Sequence, residues 1–295
     1  MTQNEVYQMV TDQIIAQLEA GVVPWQQPWV GGSAMAISYE SRKPYSMLNQ
    51  LLLGKPGEWI TWTQIQARGG KVRKGAKSRF CVFYEHKKSV EKNEETGEEK
   101  VNEYFILRWY KVFHLDDVEG IKSKIQPIEP NETLEPVDLA EGIVNGYLLR
   151  EKDLKFINNK PSGEAYYSPA TDTVVVPMLS QYAEVDEYYS TTFHELTHST
   201  MTEGRCNRRQ EGKNARFGSE TYSREELVAE IGAAMLCNVA GLDSEKCFKN
   251  SVAYIDNWKK RLKEDSKAIV YAAGRAEKAA KYILNDIDES ESVKS

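Results

Sequence analysis

A His-Glu-x-x-His motif at residues 194 to 198 constrains this chain more than any other feature. In a helix, the spacing of four residues places His194 and His198 on one face, where both imidazoles can bind the same metal ion. Glu195 then points at whatever molecule that ion holds. This layout is typical of zinc-dependent hydrolases, although two histidines and a glutamate also occur together on exposed helices.

A catalytic zinc ion needs a third protein ligand and keeps its fourth position for water. The remaining histidines, His86 and His114, lie far upstream, so a carboxylate on a second helix is the better candidate. Apolar residues recur at helical spacing between residues 223 and 236, and Glu226 and Glu230 lie one turn apart beside that apolar stripe.

The same segment has a simpler interpretation. Ser223 and Glu226 can form a capping box at the start of the helix, with Glu225 and Glu230 as solvated surface charges. From the segment alone the two interpretations stand level, and the upstream motif favours the ligand interpretation.

The second helix resembles that of the gluzincin class of metallopeptidases, which carries Glu-x-x-Ala-Asp. The matching residues are Glu226-Leu227-Val228-Ala229-Glu230, with Glu in place of the final Asp. The resemblance implies Glu226 as the third ligand, and Glu230 as the carboxylate that accepts the other N–H of a metal-bound imidazole. The Asp-to-Glu change leaves a second assignment open, with Glu230 as the ligand and Glu226 as the cap.

A mechanism follows from the charges. A bound divalent metal lowers the pKa of its water toward ~7, and Glu195 takes the proton as the water attacks a carbonyl. Glu195 would then pass that proton to the leaving amine. Residues 172 to 177, a β-branched run closed by Pro177, suit an edge strand that holds an extended peptide, or equally an ordinary core strand.

The composition describes a globular chain. Its 295 residues, of which 41% are hydrophobic, are enough for two domains with separate cores. No apolar run approaches the ~20 residues of a membrane span, and the first residues lack the basic start of a secretory signal, so we expect a cytoplasmic protein without membrane contact. The four cysteines have no C-x-x-C spacing and are expected to be reduced, partly buried thiols.

Charge divides the chain into two halves. An acidic insert at residues 85 to 103 predicts an exposed hairpin or a disordered loop between two strands. Without this insert, the first 125 residues carry 13 basic and 8 acidic side chains, so the first half is basic. Three prolines and mixed charge indicate a linker at residues 121 to 136. We therefore predict one domain over residues 1–120 and a second over residues 137–295, helical from about residue 241 to Leu284 and ending in a frayed polar tail.

The first half combines aromatic and basic residues. It begins with an amphipathic helix that Gly21 ends, and it holds five of the six tryptophans. Five cations lie in a glycine-punctuated loop at residues 69 to 79. Aromatic faces next to cations favour binding of single-stranded nucleic acid, because bases stack on the rings while Lys and Arg follow the phosphates. Any single tryptophan is more often a core residue.

Two strand-like segments follow the loop, at residues 80–84 and 104–113. The predicted fold class is α+β with two domains. The first is a small α+β module with residues suited to single-stranded nucleic acid, and the second is a mainly helical zincin-like domain with a small sheet.

Nearly the full chain resembles the ArdC family of antirestriction proteins of plasmids and phages. The resemblance is carried, in this order, by Pro24-Trp25-Gln26-Gln27-Pro28-Trp29, residues 43–53, Trp62-Thr63-Gln64, residues 69–77, Tyr166-Tyr167-Ser168-Pro169 and the metal motif. It implies an N-terminal domain that binds single-stranded DNA, a C-terminal metallopeptidase-like domain, and protection of incoming DNA from host restriction. A related N-terminal module is fused to conjugative primases.

The resemblance also places the DNA site. The family commonly has Arg-Gly where this chain has Ser46-Met47, which removes one cation, whereas the basic loop keeps its charges. The residues assigned to DNA binding are Trp25, Trp29, Tyr45, Asn49, Trp62, Arg73, Lys74 and Lys77.

The expected cofactor is Zn²⁺ or another divalent metal such as Mn²⁺, and the expected partners are single-stranded DNA and a protein or peptide substrate. Two alternatives remain. One is a plain metalloprotease whose first domain recognises protein. The other is a DNA-binding protein whose metal is structural, with Cys206 near enough to His198 in sequence to complete the site.

Overall fold

The structure is a computed structural model that describes residues 1–26, 35–92, 99–125, 136–208, 220–247 and 252–286. The helices are α1 (Gln3–Glu19), α2 (Met47–Leu53), α3 (Trp62–Ala67), α4 (Pro136–Arg150), α5 (Val185–Ser199), α6 (Glu220–Ala240), α7 (Ser244–Cys247), α8 (Val252–Glu264) and α9 (Ala268–Leu284). The strands are β1 (Ala36–Ser38), β2 (Gly57–Thr61), β3 (Lys71–Val72), β4 (Arg79–Lys92), β5 (Glu99–His114), β6 (Val118–Glu119), β7 (Lys155–Ile157), β8 (Tyr166–Ser168) and β9 (Thr173–Val175).

Helix α1 confirms the amphipathic helix predicted at the start of the chain. Thr2 and Glu5 form a reciprocal capping box at its N-terminus. Val10 and Ile14, on its apolar face, are fully buried. Gly21 follows the helix with a φ of +78°, a backbone conformation that glycine adopts without steric cost.

A long hairpin dominates the first half. Strands β4 and β5 pair antiparallel from Arg79 opposite Val112 to Lys92 opposite Glu99, so the acidic insert continues the hairpin, as one of the two predicted alternatives required. Residues 93–98, at its tip, lie outside the described part of the chain. The sheet order is β1-β2-β5-β4, which leaves β4 at an edge, and β3 and β6 form a separate pair.

The second half contains a three-stranded sheet in the order β7-β9-β8. Strand β9 is central, pairing parallel with β7 and antiparallel with β8. The edge-strand interpretation of residues 172–177 is therefore wrong and the core-strand alternative is right, because Val174 and Val176 are fully buried. The edge strand that contacts the motif helix α5 is β8.

The largest hydrophobic core crosses the boundary between the halves. It joins Val6, Trp25 and Leu48 of the first half to residues of α4, α5, α6 and α9. Trp25 packs edge-to-face on Trp258 of α8, with ring centroids 6.0 Å apart. Two separate cores, which the chain length allows, are therefore not what the described residues form, although two smaller clusters are confined to the first half.

Most of the predicted linker, residues 126–135, and the polar tail from residue 287 lie outside the described residues. All four cysteines are free and buried. Among the described residues, no helix combines the length and apolar composition needed to cross a bilayer.

Candidate metal centre

Two helices in close contact carry the candidate metal ligands. Helix α5 presents His194 and His198, while its other face buries Phe193 and Leu196 completely. Helix α6 packs against it at Gly232, where an added Cβ would lie 2.6 Å from Cγ2 of Thr197. A side chain larger than hydrogen at this position therefore forces the two helices apart.

The ligand atoms converge as the motif predicted. Nε2 of His194 lies 3.1 Å from Nε2 of His198. The Glu226 carboxylate places one oxygen 3.7 Å from Nε2 of His194 and the other 3.6 Å from Nε2 of His198. One donor atom from each of the three residues lies within 4.8 Å of the others, and all three side chains are partly exposed. Two imidazoles and a carboxylate are a donor set that suits Zn²⁺ or Mn²⁺.

The capping-box alternative does not fit the helix boundary. Helix α6 begins at Glu220, so Ser223 lies inside the helix rather than at its N-cap. Nor does Cys206 join the ligand group found among the described residues, because its Sγ atom lies 3.9 Å from the carbonyl oxygen of Lys278.

Glu225 contacts the ring of His198 at the nitrogen that faces away from the other two candidate ligands. Its Oε1 atom lies 3.5 Å from Nδ1 of His198, and both of its oxygens accept hydrogen bonds from Arg208, at 2.7 and 3.1 Å. Burial disfavours the charge on Glu225, but His198 and Arg208 outweigh this and keep the pKa of its carboxyl below the usual range. The alternative interpretation, with Glu225 as a solvated surface charge, is therefore wrong.

Arg208 ties this carboxylate to helix α5. Its guanidinium is almost fully buried and also donates to the carbonyl oxygen of Thr197 and the hydroxyl of Thr200. These bonds fix Arg208 to the C-terminal turn of α5 and Glu225 to Arg208. Sequence reasoning missed Arg208, because nothing in its neighbourhood marks it as buried.

Glu230 has a different contact from the one predicted for it. Its carboxylate accepts a hydrogen bond of 2.9 Å from the hydroxyl of Tyr254 on α8. Burial raises the pKa of the Glu230 carboxyl, against the opposing charge of His194. Glu230 thus lies near His194. The carboxylate that contacts Nδ1 of an imidazole, on the side away from the other ligands, is Glu225, and that imidazole belongs to His198.

Glu195 is buried beside the two histidines. Burial raises the pKa of its carboxyl, and the peptide N–H of Tyr167 in β8 donates a hydrogen bond to it. A carboxyl group with a raised pKa takes up and releases protons more readily near neutral pH than an exposed one. The same hydrogen bond connects the edge strand β8 to the site.

Carboxylates surround His194. Burial alone would lower its pKa, but Glu226, Glu230 and Glu195 raise the pKa of His194 to about 9. The negative charge of the site therefore stabilises a cation at this position.

A buried ion-pair network anchors the end of α5. Arg205 pairs with both oxygens of Asp172, at 2.9 and 2.7 Å, and with Glu151, the residue that follows α4, at 2.8 Å. It also donates to the carbonyl oxygen of Ser199, the last residue of α5. The network joins the motif helix to the small sheet.

The residues predicted to bind DNA fall into three groups. Trp62, Arg73, Lys74 and Lys77 are exposed, and Tyr45 is partly exposed. Trp25 is fully buried, so it has no free face for a base and its assignment is wrong. Trp29 lies outside the described residues.

The assignment of Asn49 to DNA binding is also wrong. It is almost fully buried, and its side-chain amide bonds both the N–H and the carbonyl oxygen of Val82, at 2.8 and 2.9 Å. These two bonds pair the amide with the edge of β4 and leave the residue a structural role.

The residues assigned to DNA binding from the sequence do not include the exposed aromatic residues of the hairpin. Phe83, Tyr84, Tyr104 and Phe105 are each about half exposed, between 46% and 60%. In the sequence, only the alternation of side chains between the two faces of a strand bears on their exposure. Which face is covered depends on the position of each strand in the sheet.

Two protein families match the chain. Residues 4–113 match the N-terminal domain of the anti-restriction factor ArdC, and residues 147–275 match a zincin-like metallopeptidase family. The predicted two-domain α+β class is thereby confirmed.

Crystal structures of the antirestriction protein ArdC from plasmid R388 are similar to this chain along nearly their whole length. The metal-free structure is 30% identical with a TM-score of 0.67, over 95% of this chain and 97% of that one. The Mn(II)-bound structure is 29% identical with the same TM-score and coverage.

Relatives known from sequence include an uncharacterized protein, y4eC, of Sinorhizobium fredii. It is 30% identical, and the match covers 96% of this chain and 92% of that protein. Two Escherichia coli proteins called DNA primase TraC are 29% and 30% identical over 94% of this chain. The chain spans only 20% and 27% of the length of these two primases.

Proposed function

Because the chain belongs to the ArdC family of antirestriction proteins, we propose that it binds single-stranded DNA through its first half and carries a metal-dependent peptidase site in its second. In the cytoplasm it would protect incoming plasmid or phage DNA from host restriction. The observation that carries the second part is the convergence of His194, His198 and Glu226 within 4.8 Å, beside the buried Glu195.

The proposed metal is Zn²⁺, with Mn²⁺ as the alternative, and His194, His198 and Glu226 hold it. A divalent ion bound there supplies positive charge that acidifies a water molecule and polarises a carbonyl group. Three protein ligands suit a catalytic site, which leaves a position for water, better than a structural one, which is closed by a fourth.

Glu195 is the proposed general base and acid. Its carboxylate takes the proton of the attacking water and passes it to the leaving amine. The peptide N–H of Tyr167 in β8 favours the charged form of this carboxylate. In this proposal Glu225 and Arg208 keep the ring of His198 fixed, and Glu230 acts on the neighbouring His194 through its charge.

The edge strand β8 supports a peptide as the substrate of this site. Among the described residues, β8 pairs with β9 on one side and with no strand on the other, and it contacts α5. An extended peptide that adds to its other side would run past Glu195.

The exposed basic loop supports DNA binding by the first half. Arg73, Lys74 and Lys77 reach solvent, and Trp62 is 52% exposed on the neighbouring helix α3. Cations follow phosphates while an exposed ring stacks on a base.

A salt titration tests the DNA half. The double variant Lys74→Ala/Lys77→Ala should weaken binding of a single-stranded oligonucleotide and reduce the slope of log K against log salt by about 1.4. Lys152→Ala/Lys160→Ala, which removes two exposed lysines of the second half, is the matched control and should leave the slope unchanged. Equal slopes in wild type and the loop variant would refute the phosphate-binding role of the loop.

A second experiment tests the peptidase half. Elemental analysis of the purified protein identifies the metal, and Glu195→Gln should keep that metal while peptide cleavage falls by about 10²–10⁴-fold. If this variant still protects DNA as well as the wild type does, protection depends on DNA binding alone.

A further inference from the structure

A cavity of about 520 Å³ lies between the two halves of the chain, and none of the metal-centre residues lines it. Its walls come from the segment 38–46, from α2, from strands β4 and β5, and from α9 of the second half. The volume falls within the usual range for small-ligand sites and is ample for a nucleoside.

One wall is aromatic. The rings of Phe83 and Tyr110 meet edge-to-face with centroids 5.8 Å apart, and Tyr45 hydrogen-bonds to Tyr110. Burial raises the pKa of Tyr110 to about 12, so its hydroxyl stays protonated. Phe83 remains 46% exposed beside the cavity, which leaves an apolar ring surface that a flat ligand can cover.

A second wall is the open edge of β4. Asn49 occupies the outward N–H and carbonyl oxygen of Val82. Because outward-facing peptide groups recur at every second residue of an edge strand, the next pair belongs to Tyr84, which also lines the cavity. This pair presents one donor and one acceptor side by side, the pattern found along the edge of a nucleobase.

A carboxylate and a lysine complete the lining. Glu277 of α9 accepts a 2.7 Å hydrogen bond from the N–H of Met47 and pairs with Lys281 at 3.1 Å. A carboxylate has about four acceptor positions, so Glu277 can accept further hydrogen bonds. Lys43 is exposed where it lines the cavity and suits a phosphate.

We propose that this cavity binds one unstacked base of single-stranded DNA and prefers cytosine to thymine. The inference rests on the proposed DNA-binding function and adds a site to it. The ring of Phe83 stacks on the base, and Glu277 accepts a hydrogen bond from the exocyclic amino group that cytosine carries at C4. Thymine has a carbonyl oxygen at C4, which the carboxylate repels.

The test compares oligo(dC) with oligo(dT) of equal length by fluorescence anisotropy at one salt concentration. Wild type should bind oligo(dC) about tenfold more tightly, because a hydrogen bond to a charged group is at stake. Glu277→Gln should bring the two affinities close together, since the amide no longer carries the charge that repels thymine. Gln keeps an acceptor for Met47, and an unchanged melting temperature checks that the fold is intact.

Phe83→Ala should weaken binding of both oligonucleotides at least about fivefold. The matched control is Phe105→Ala, which removes a ring of β5 that is 60% exposed, against 46% for Phe83, and does not line the cavity. An equal loss in both variants, or the same base preference in wild type and Glu277→Gln, would overturn the inference while leaving the DNA-binding function in place.

If wild type binds neither oligonucleotide, the proposed DNA-binding function fails, and titration with free dCMP and dTMP then decides about the cavity. Preferential binding of dCMP that is lost in Glu277→Gln supports the base site. No binding of either nucleotide overturns it.

Discussion

The metal centre and the solvent-facing surface of the first half are built in opposite ways. Around His198, charged side chains hold one another in place, as Glu225 contacts His198 and is itself held by the buried Arg208. On the first half, Lys74, Lys77 and Trp62 extend into solvent from a loop and a short helix. The side chains of the metal centre are therefore held in position before a ligand binds. The exposed cations and rings of the first half become ordered only when a ligand binds.

This difference sets how each region responds to change. In a preorganised site, removing one group affects all the others, and small displacements matter. On an exposed surface each cation or ring contributes separately, and salt screens the charges. The variants below test whether this contrast holds, starting with the largest expected effect.

Glu226→Ala should abolish stoichiometric metal binding. It removes the only carboxylate in the three-residue ligand group and leaves two imidazoles. Metal content after dialysis, measured by elemental analysis, provides the check.

Glu184→Ala, at an exposed carboxylate before α5, is the control and should retain the metal. Full occupancy in Glu226→Ala would show that the ligand set is misassigned, with Glu230 as the next residue to replace.

Trp25→Ala should lower the free energy of unfolding by about 3–5 kcal/mol, because it leaves a large cavity where Trp25 packs on Trp258. Urea denaturation followed by circular dichroism measures this effect.

Trp62→Ala is the matched change on the exposed side. It should leave stability within about 0.5 kcal/mol of wild type and weaken oligonucleotide binding instead. Similar stability losses in the two variants would contradict the contrast between a buried and an exposed tryptophan.

Gly232→Ala should cost about 1–3 kcal/mol of stability and weaken metal binding as well, since the added methyl group pushes α6 away from Thr197. Thermal denaturation with and without added metal separates the two effects.

Gly146→Ala is the control, because its Cβ meets nothing within 4 Å in the middle of α4. The higher helix propensity of alanine should make that variant slightly more stable. Equal losses in both variants would show that close helix packing at Gly232 is unimportant.

Glu225→Gln should reduce metal affinity about 10–100-fold without abolishing it, because His198 loses the charged partner of its outer nitrogen. A competition titration with a metal-binding dye measures the change.

Glu184→Gln, at the exposed carboxylate before α5, is the control for the change of charge. If Glu225→Gln and Glu184→Gln bind metal equally well, Glu225 does not orient His198.

Part of this protein was predictable from the sequence because helix geometry is local. His194 and His198 must share a face once α5 forms, and Glu226 must lie beside the apolar stripe of α6. The first helix, the hairpin and the helical C-terminal region followed from patterns of the same kind.

Other features depended on which distant segments meet. Trp25 and Trp62 have the same side chain, yet only the packing of Trp258 on Trp25 decides that one is buried and the other exposed. Similarly, the side-chain amide of Asn49 is hydrogen-bonded to Val82 because β4 passes beside α2, and no local sequence pattern predicts that contact.

The sequence by itself thus determined the family, the two-part α+β plan and the residues able to hold a metal, because periodic spacing along one helix fixes which side chains share a face. Only the tertiary structure decided that β9 is central and β8 lies at the edge, that Glu225 rather than Glu230 touches His198, and that a cavity opens between β4 and α9. Each of these depends on contacts between residues far apart in the chain, and burial and hydrogen-bond partners are properties of such contacts rather than of the residues themselves.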